Sequence, residues 1–174
     1  MEEYFDLYLP DGTKTGEIIS ENQPIPENRA TKLAHMFIFD QNGSVLLQKR
    51  SMRKRFFPGI WDGTGGRVQS GEDGPAACAR EMREEVGLAA SPADFVFLGS
   101  TLLPWRNLFE VYAVKLSFSL SDCTRQESEV DELKLVPCFC ALACFRQKED
   151  AFYTEMFMKA ARLFGDKTIP KSEY

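Results

Sequence analysis

The stretch GTGGRVQSGEDGPAACAREMREEVGL, running from Gly63 to Leu88, decides the fold. Its second half is a helix by local chemistry. Pro75 suits a first-turn position, Ala76, Ala77 and Ala79 favour helix, and Gly87 suits a stop just past the end. At about 100° per residue, Glu81 and Glu85 fall about 40° apart, and Glu81 and Glu84 about 60° apart. Three carboxylates therefore crowd one side of one helix, a spacing that destabilises a helix standing alone. A hard divalent cation with oxygen ligands is one compensation. Pairing with Arg80 and Arg83 on a solvated face is the other. The first half, with Gly63, Gly65 and Gly66, reads as an open glycine-rich segment whose backbone can approach a ligand closely.

The flanks alternate between strand and helix patterns. Upstream, Leu33 to Asp40 is a mostly apolar run read as a buried strand, Gln41-Asn42-Gly43 is a turn, and Val45 to Leu47 starts the next strand. Nearer the start, Phe5, Leu7 and Leu9 alternate with polar or amphipathic residues, Pro10-Asp11-Gly12 turns the chain, and Thr13 to Ile19 returns. That is an N-terminal β-hairpin, followed by a loop to Asn28 carrying Pro24 and Pro26. Downstream, Phe95 to Leu103 and Phe109 to Phe118 read as strands, and Leu133 to Pro137 as a short one. Cys138 to Phe145 and Asp150 to Phe164 read as helices. The series predicts a mixed α/β layered fold. With 174 residues, one domain over 1–174 is expected.

Composition narrows the function. At 44% hydrophobic and 27% charged residues the chain is not a disordered one. No apolar run approaches the ~20 residues that span a bilayer, and Glu2-Glu3-Tyr4 is unlike a secretory signal. A net charge of −5 argues against a nucleic-acid polymer as partner. The five cysteines, Cys78, Cys123, Cys138, Cys140 and Cys144, form no CxxC pair, and the lone histidine, His35, is distant from them in sequence. They read as small buried apolar residues in a reducing compartment rather than a zinc site, so a cytoplasmic location is expected. His35, on an apolar strand, reads as a satisfied core histidine.

The pattern G-x5-E-x7-R-E-U-x-E-E-x-G-U, with U a bulky apolar residue, is carried by Gly66, Glu72, Arg80, Glu81, Met82, Glu84, Glu85, Gly87 and Leu88. It resembles the signature of the Nudix hydrolases, with the box at 66–88. The resemblance implies an α/β/α sandwich with a mixed sheet, here with the N-terminal hairpin added. It also implies Mg²⁺ or Mn²⁺ as cofactor, and hydrolysis of a diphosphate bond in a nucleoside diphosphate linked to another moiety, or in a free nucleotide. Carried over by position, Glu81, Glu84 and Glu85 would be metal ligands and the Gly65 carbonyl a further donor. Glu72 and Arg80 would fix loop and helix by charge pairing.

Other residues are assigned around that box. The acidic run Glu127, Glu129, Asp131 and Glu132 reads as a polar loop, or as the source of one more metal ligand. Glu129 is preferred for that role and Glu127 is second. Glu84 or Glu85, with Glu129 nearby, would activate the attacking water. The basic cluster Lys49, Arg50, Arg53, Lys54 and Arg55 reads as a solvated strand end or as a diphosphate contact, with Arg50 and Lys54 the preferred substrate-binding pair. Trp105 and Phe109 read as stacking surfaces for a base or sugar, or as ordinary core and surface aromatics.

The segments from Thr31 to Trp61 and from Ala151 to Ala160 also resemble isopentenyl-diphosphate isomerases. In that register the isomerase cysteine falls at Gly66, its neighbouring histidine at Val68, its upstream metal histidine at Thr31 and its tryptophan at Glu155. A glycine cannot act as acid or base, so hydrolysis is the expected function. Isomerase-like activity and a non-catalytic nucleotide-ligand sensor are the alternatives. The expected partner is a small-molecule diphosphate substrate, with no membrane, and a homodimer is the default assembly.

Overall fold

The structure is a computed structural model that describes residues 2–169. Residues 1 and 170–174 of the expected 1–174 domain lie outside the described residues. Strands β1 (Tyr4–Tyr8) and β2 (Lys14–Ser20) form the N-terminal antiparallel hairpin, with Phe5 opposite Ile19. Both strands begin within a residue or two of the sequence reading.

The main sheet is built on β3 (Thr31–Phe39). On one side lies β8 (Asn107–Lys115), parallel to it from Thr31↔Asn107 to Phe39↔Lys115. Beyond that lies β7 (Val96–Leu103), antiparallel to β8. On the other side is β4 (Val45–Arg50), paired with β9 (Val130–Val136) along its whole length. The period-2 alternation sorts β3 into two faces. Phe37 and Phe39, with Val45, Leu47, Val111 and Ala113, pack against α2 (Cys138–Arg146) and α3 (Ala151–Phe164). Ala34, Met36 and Ile38, with Leu46, Tyr112 and Val114, pack against α1 (Gly74–Val86). The result is the α/β/α sandwich with a mixed sheet.

The sheet divides at its centre. β3 and β4 pair only at Ile38↔Leu46 and Phe39↔Val45. Past that point β6 (Thr64–Arg67) takes over the edge of β3, from Met36↔Thr64 to Leu33↔Arg67, while β5 (Trp61–Asp62) pairs with β4. This corrects the reading of the glycine-rich segment as an open stretch: most of it is strand. The cause is the missing side chain. A Cβ on Gly65 would lie 2.5 Å from the Ala34 carbonyl oxygen and 2.7 Å from the His35 Cα, so only glycine lets the two backbones come so close.

Candidate active site

Helix α1 faces the gap between the parted strands. Its start is fixed by Asp73, whose carboxylate accepts the Ala76 N–H at 2.9 Å, and its end by Gly87 in the left-handed conformation at φ 74°. Met82, Cys78 and Val86 anchor its inner stripe in the core. The helical period then places Glu81 and Glu85 at the margin of that stripe and Glu84 outside it. Glu85 is 4% exposed, whereas the Glu84 side chain is 49% exposed.

Glu85 is the most unusual group of the site. Its Oε2 accepts the side-chain N–H of Gln48 at 2.9 Å, and no ion pair among the described residues neutralises it. Burial raises its pKa first, the Glu81 charge adds to that and Glu129 adds more, while Gln48 and Arg50 oppose; the carboxyl is pushed up to about 8. Glu81 is raised in the same direction by burial, against the pull of Arg80. Its carboxylate occupies the space that a side chain on Gly66 would fill: a Cβ there would lie 2.1 Å from Glu81 Oε1.

Arg80 ties the helix to the loop before it. Its guanidinium contacts Glu72 through two N–H groups at 2.9 and 3.1 Å, and donates to the Arg67 carbonyl at 2.9 Å. It also reaches Glu81 at 2.8 Å and Glu84 at 3.2 Å. Glu72 in turn accepts the Gln69 N–H at 3.0 Å. The planar fork suits such multiple contacts in a way a lysine would not.

Glu129 reaches the site through the end of α1. The Thr124 and Gln126 N–H groups donate to the Val86 and Glu85 carbonyls at 3.0 and 3.1 Å. The chain then passes Ser51, whose N–H donates to the Glu129 carbonyl at 2.8 Å, and the Glu129 carboxylate meets Lys54 Nζ at 2.5 Å. Arg50 lies at the same lip: its charge acts on Glu85, and its Nε–H donates to the Phe56 carbonyl at 3.4 Å. Glu81, Glu85, Glu129, Arg50 and Lys54 therefore gather around one gap. Glu127 is turned out to solvent near Arg125.

Two readings need correction. Phe109 is 9% exposed and packs its ring against His35, Phe152 and Tyr153, so it belongs to the core under α3 and offers no stacking face. Trp105, by contrast, is 55% exposed on the turn between β7 and β8, so its face is open. Cys78 and Cys138 are buried, as small apolar residues would be, but Cys140 is exposed. Two kinds of residue were missed. Gln48, which holds Glu85, gives no sequence signal because it sits in an apolar strand. Asp62, Lys148 and Tyr153 join His35 in a buried polar cluster that only the fold assembles.

The donor set fits a hard divalent cation: carboxylate oxygens on one helix face, one of them buried without a counter-charge, beside a glycine backbone. Among the described residues no three His, Cys, Asp or Glu side chains already converge on a point, since Arg80 holds Glu81 and Glu84 and Lys54 holds Glu129. Among the described residues no helix is long and apolar enough to cross a membrane.

The family model of the NUDIX domain matches residues 31–155. The protein described as Nudix hydrolase 3 of Arabidopsis thaliana is 31% identical over 166 residues, covering 87% of this chain but only 21% of that one. An isopentenyl-diphosphate Delta-isomerase of Streptomyces coelicolor is 37% identical over 78 residues, 44% of this chain and 39% of that one. The chain thus spans about a fifth of the first relative and two fifths of the second. The crystal structure of DR0079 from Deinococcus radiodurans superposes with a TM-score of 0.69 at 22% identity, covering 91% of this chain and 99% of that one. A family match of that length, running through the divided sheet and the carboxylate helix just described, makes the chain a member of the NUDIX domain family.

Proposed function

We propose that the protein is a metal-dependent hydrolase that cleaves a diphosphate bond in a nucleoside diphosphate linked to another moiety, or in a free nucleotide. The observation that carries this reading is the buried Glu85 carboxylate, flanked by Glu81 and Glu129 and lacking a cation of its own. The residues that would hold the metal are Glu81, Glu84, Glu85 and Glu129, with the Gly65 carbonyl. Mg²⁺ or Mn²⁺ held there would supply charge neutralisation for the diphosphate and would make water a better nucleophile. Glu84 or Glu85, with Glu129, takes the proton from the attacking water. Arg50 and Lys54, held at the lip of the same gap, bind the diphosphate oxygens. Trp105, exposed on its turn, is the remaining candidate for stacking on a base.

Isomerase chemistry has the partial match to the Streptomyces enzyme in its favour and this chain's residues against it. In the register of that resemblance, Gly66, Val68 and Thr31 stand in place of the isomerase cysteine and two histidines, and Glu155 in place of its tryptophan. Val68 is buried, Thr31 is sealed and bonded to Asn107 at 2.6 Å, and Glu155 is paired with Lys159 at 3.1 Å. Gly66 and Val68 have no group that could donate a proton to carbon in place of the cysteine and histidine.

A panel of nucleotide sugars, dinucleotides, nucleoside di- and triphosphates and coenzyme A, assayed with Mg²⁺ and Mn²⁺, tests the proposal. At least one substrate is expected to turn over, and Glu85→Gln or Glu84→Gln to cut that turnover by about 10²–10⁴-fold with the fold intact. Unchanged turnover in both variants rejects the site. Tight binding of one ligand without any turnover selects the sensor instead, and isomerisation of isopentenyl diphosphate selects the isomerase.

A further inference from the structure

Behind the glycine turn, on the face of the sheet away from α1, lies a polar cluster that the hydrolytic chemistry does not use. Tyr153 of α3 donates its hydroxyl proton to Asp62 Oδ1 at 2.6 Å. The same Asp62 oxygen accepts the Gly63 N–H at 2.8 Å and pairs with Lys148 Nζ. Lys148 also lies 4.3 Å from the centre of the Tyr153 ring. His35 Nε2 is 2.8 Å from the Tyr153 oxygen. Since the one proton of that hydroxyl goes to Asp62, Nε2 carries its own hydrogen and donates it to Tyr153. The protonation states agree. Burial works against the Asp62 carboxylate, yet His35 and Lys148 hold it well below the usual carboxylate range. Burial and the Asp62 charge keep the Tyr153 hydroxyl protonated.

This cluster presses directly on the glycine backbone. The Gly63 N–H also reaches the Tyr153 oxygen, at 3.4 Å. A Cβ on Gly63 would lie 2.7 Å from His35 Nε2, and one on Gly65 would lie 3.1 Å from His35 Nδ1. The His35 backbone pairs with Gly65 in the β3–β6 register. On the opposite face, Glu81 fills the space beside Gly66. The turn is therefore gripped from both sides, by a metal-ligand candidate on one and by this network on the other.

We propose that Lys148, Asp62, Tyr153 and His35 are positioning residues that fix the glycine turn, and with it the Gly65 carbonyl, for the cation bound on the α1 face. This rests on the metal site of the proposed function. Gly65 is paired with β3 as part of β6, while Gly63, which leads into it, lies outside both strands and is held by this network; glycine backbone without such a hold is entropically free. Outer-shell hydrogen bonds of this kind are worth about 10–100-fold in metal affinity.

The test measures Mn²⁺ binding to the whole protein by the loss of the free-ion electron paramagnetic resonance signal, alongside thermal unfolding. Tyr153→Phe keeps the ring packing and removes the hydroxyl; it is expected to weaken Mn²⁺ binding about tenfold. Lys148→Met, at the solvent edge of the cluster, is expected to weaken it in the same direction. Phe157→Leu, in the same core but outside the network, is expected to lower the unfolding temperature and leave Mn²⁺ affinity as in the wild type. Wild-type affinity in both Tyr153→Phe and Lys148→Met overturns the inference while leaving the metal site standing. Equal weakening by Phe157→Leu also overturns it, since general softening would then suffice. A wild-type protein that binds no Mn²⁺ overturns both the network and the metal site.

Discussion

Gly66 shows how much one missing side chain does. It is not among the glycines with positive φ, so its backbone would accept alanine; what it lacks is room. An added methyl would meet the Glu81 carboxylate, and that carboxylate is already braced by Arg80 at 2.8 Å. Gly66→Ala should therefore fold cooperatively while forcing Glu81 out of its place. The expected outcome is at least a tenfold loss of Mn²⁺-dependent turnover, in the range of lost outer-shell support, with a modest drop in unfolding temperature. Turnover at the wild-type level would mean that the Glu81 position is dispensable. The same residue separates this chain from the isomerases it resembles: a glycine here leaves space for a carboxylate and supplies no acid for carbon chemistry.

At the scale of the element, α1 depends on its two ends because its middle carries like charges. Asp73 satisfies one of the free N–H groups at the start. Gly87 ends the helix at φ 74°, and a Cβ there would lie 2.0 Å from Thr124 Oγ1. Asp73→Ala should cost about 1 kcal/mol. Gly87→Ala should cost about 1–3 kcal/mol, since it adds a left-handed penalty to a clash. Urea unfolding checks both, and Gly87→Ala is expected to be the worse. If instead it were neutral, the contact between the 124–126 segment and the helix end would not be what delivers Glu129. The first turn at Pro75 and the stop at Gly87 were legible in the sequence, because they are local chemistry, whereas the Asp73 cap emerged only with the structure. The hairpin, the paired strands and the charged side of α1 were legible too, since their periods are local. β5 and β6 were not, because a glycine-rich segment carries no alternation to read, and its pairing is imposed by β3. Gln48, Asp62, Tyr153 and Lys148 were not either: each looks like an ordinary strand or helix residue until the sheet parts and α3 closes behind it. Whether Phe109 is a stacking surface or a core aromatic was left open for the same reason, since which face of a strand meets a helix is decided by the tertiary layering.

At the scale of the whole molecule, the N-terminal hairpin is fastened to the loop that leads into α1. The Ser70 N–H donates to the Tyr4 carbonyl at 2.7 Å, and the Arg67 guanidinium lies 4.9 Å from the Phe5 ring centre. The Asp6 carboxylate, almost fully buried, accepts the Ser70 hydroxyl and the Gly71 N–H, each at 3.1 Å, and pairs with Lys14 at 2.6 Å. Burial alone would raise the Asp6 pKa, but Lys14, Gly71 and Ser70 outweigh it and the carboxyl sits below its ordinary value of 3.8. A carboxyl depressed by folding binds fewer protons in the native state than in the unfolded chain. Its contribution is thus fully present above the ordinary value and is lost as the pH falls through the lower, native one. Asp6→Asn removes the charge and keeps the size. The variant is expected to be less stable than the wild type at neutral pH, and the gap should close as both are titrated below pH 3.8. Equilibrium unfolding of the pair across that range measures it. A gap that persists unchanged in acid would assign the hairpin's attachment to shape and hydrogen bonding alone, with the Asp6–Lys14 charge pair contributing nothing to the joint between the hairpin and the loop that positions Glu72 and Arg80.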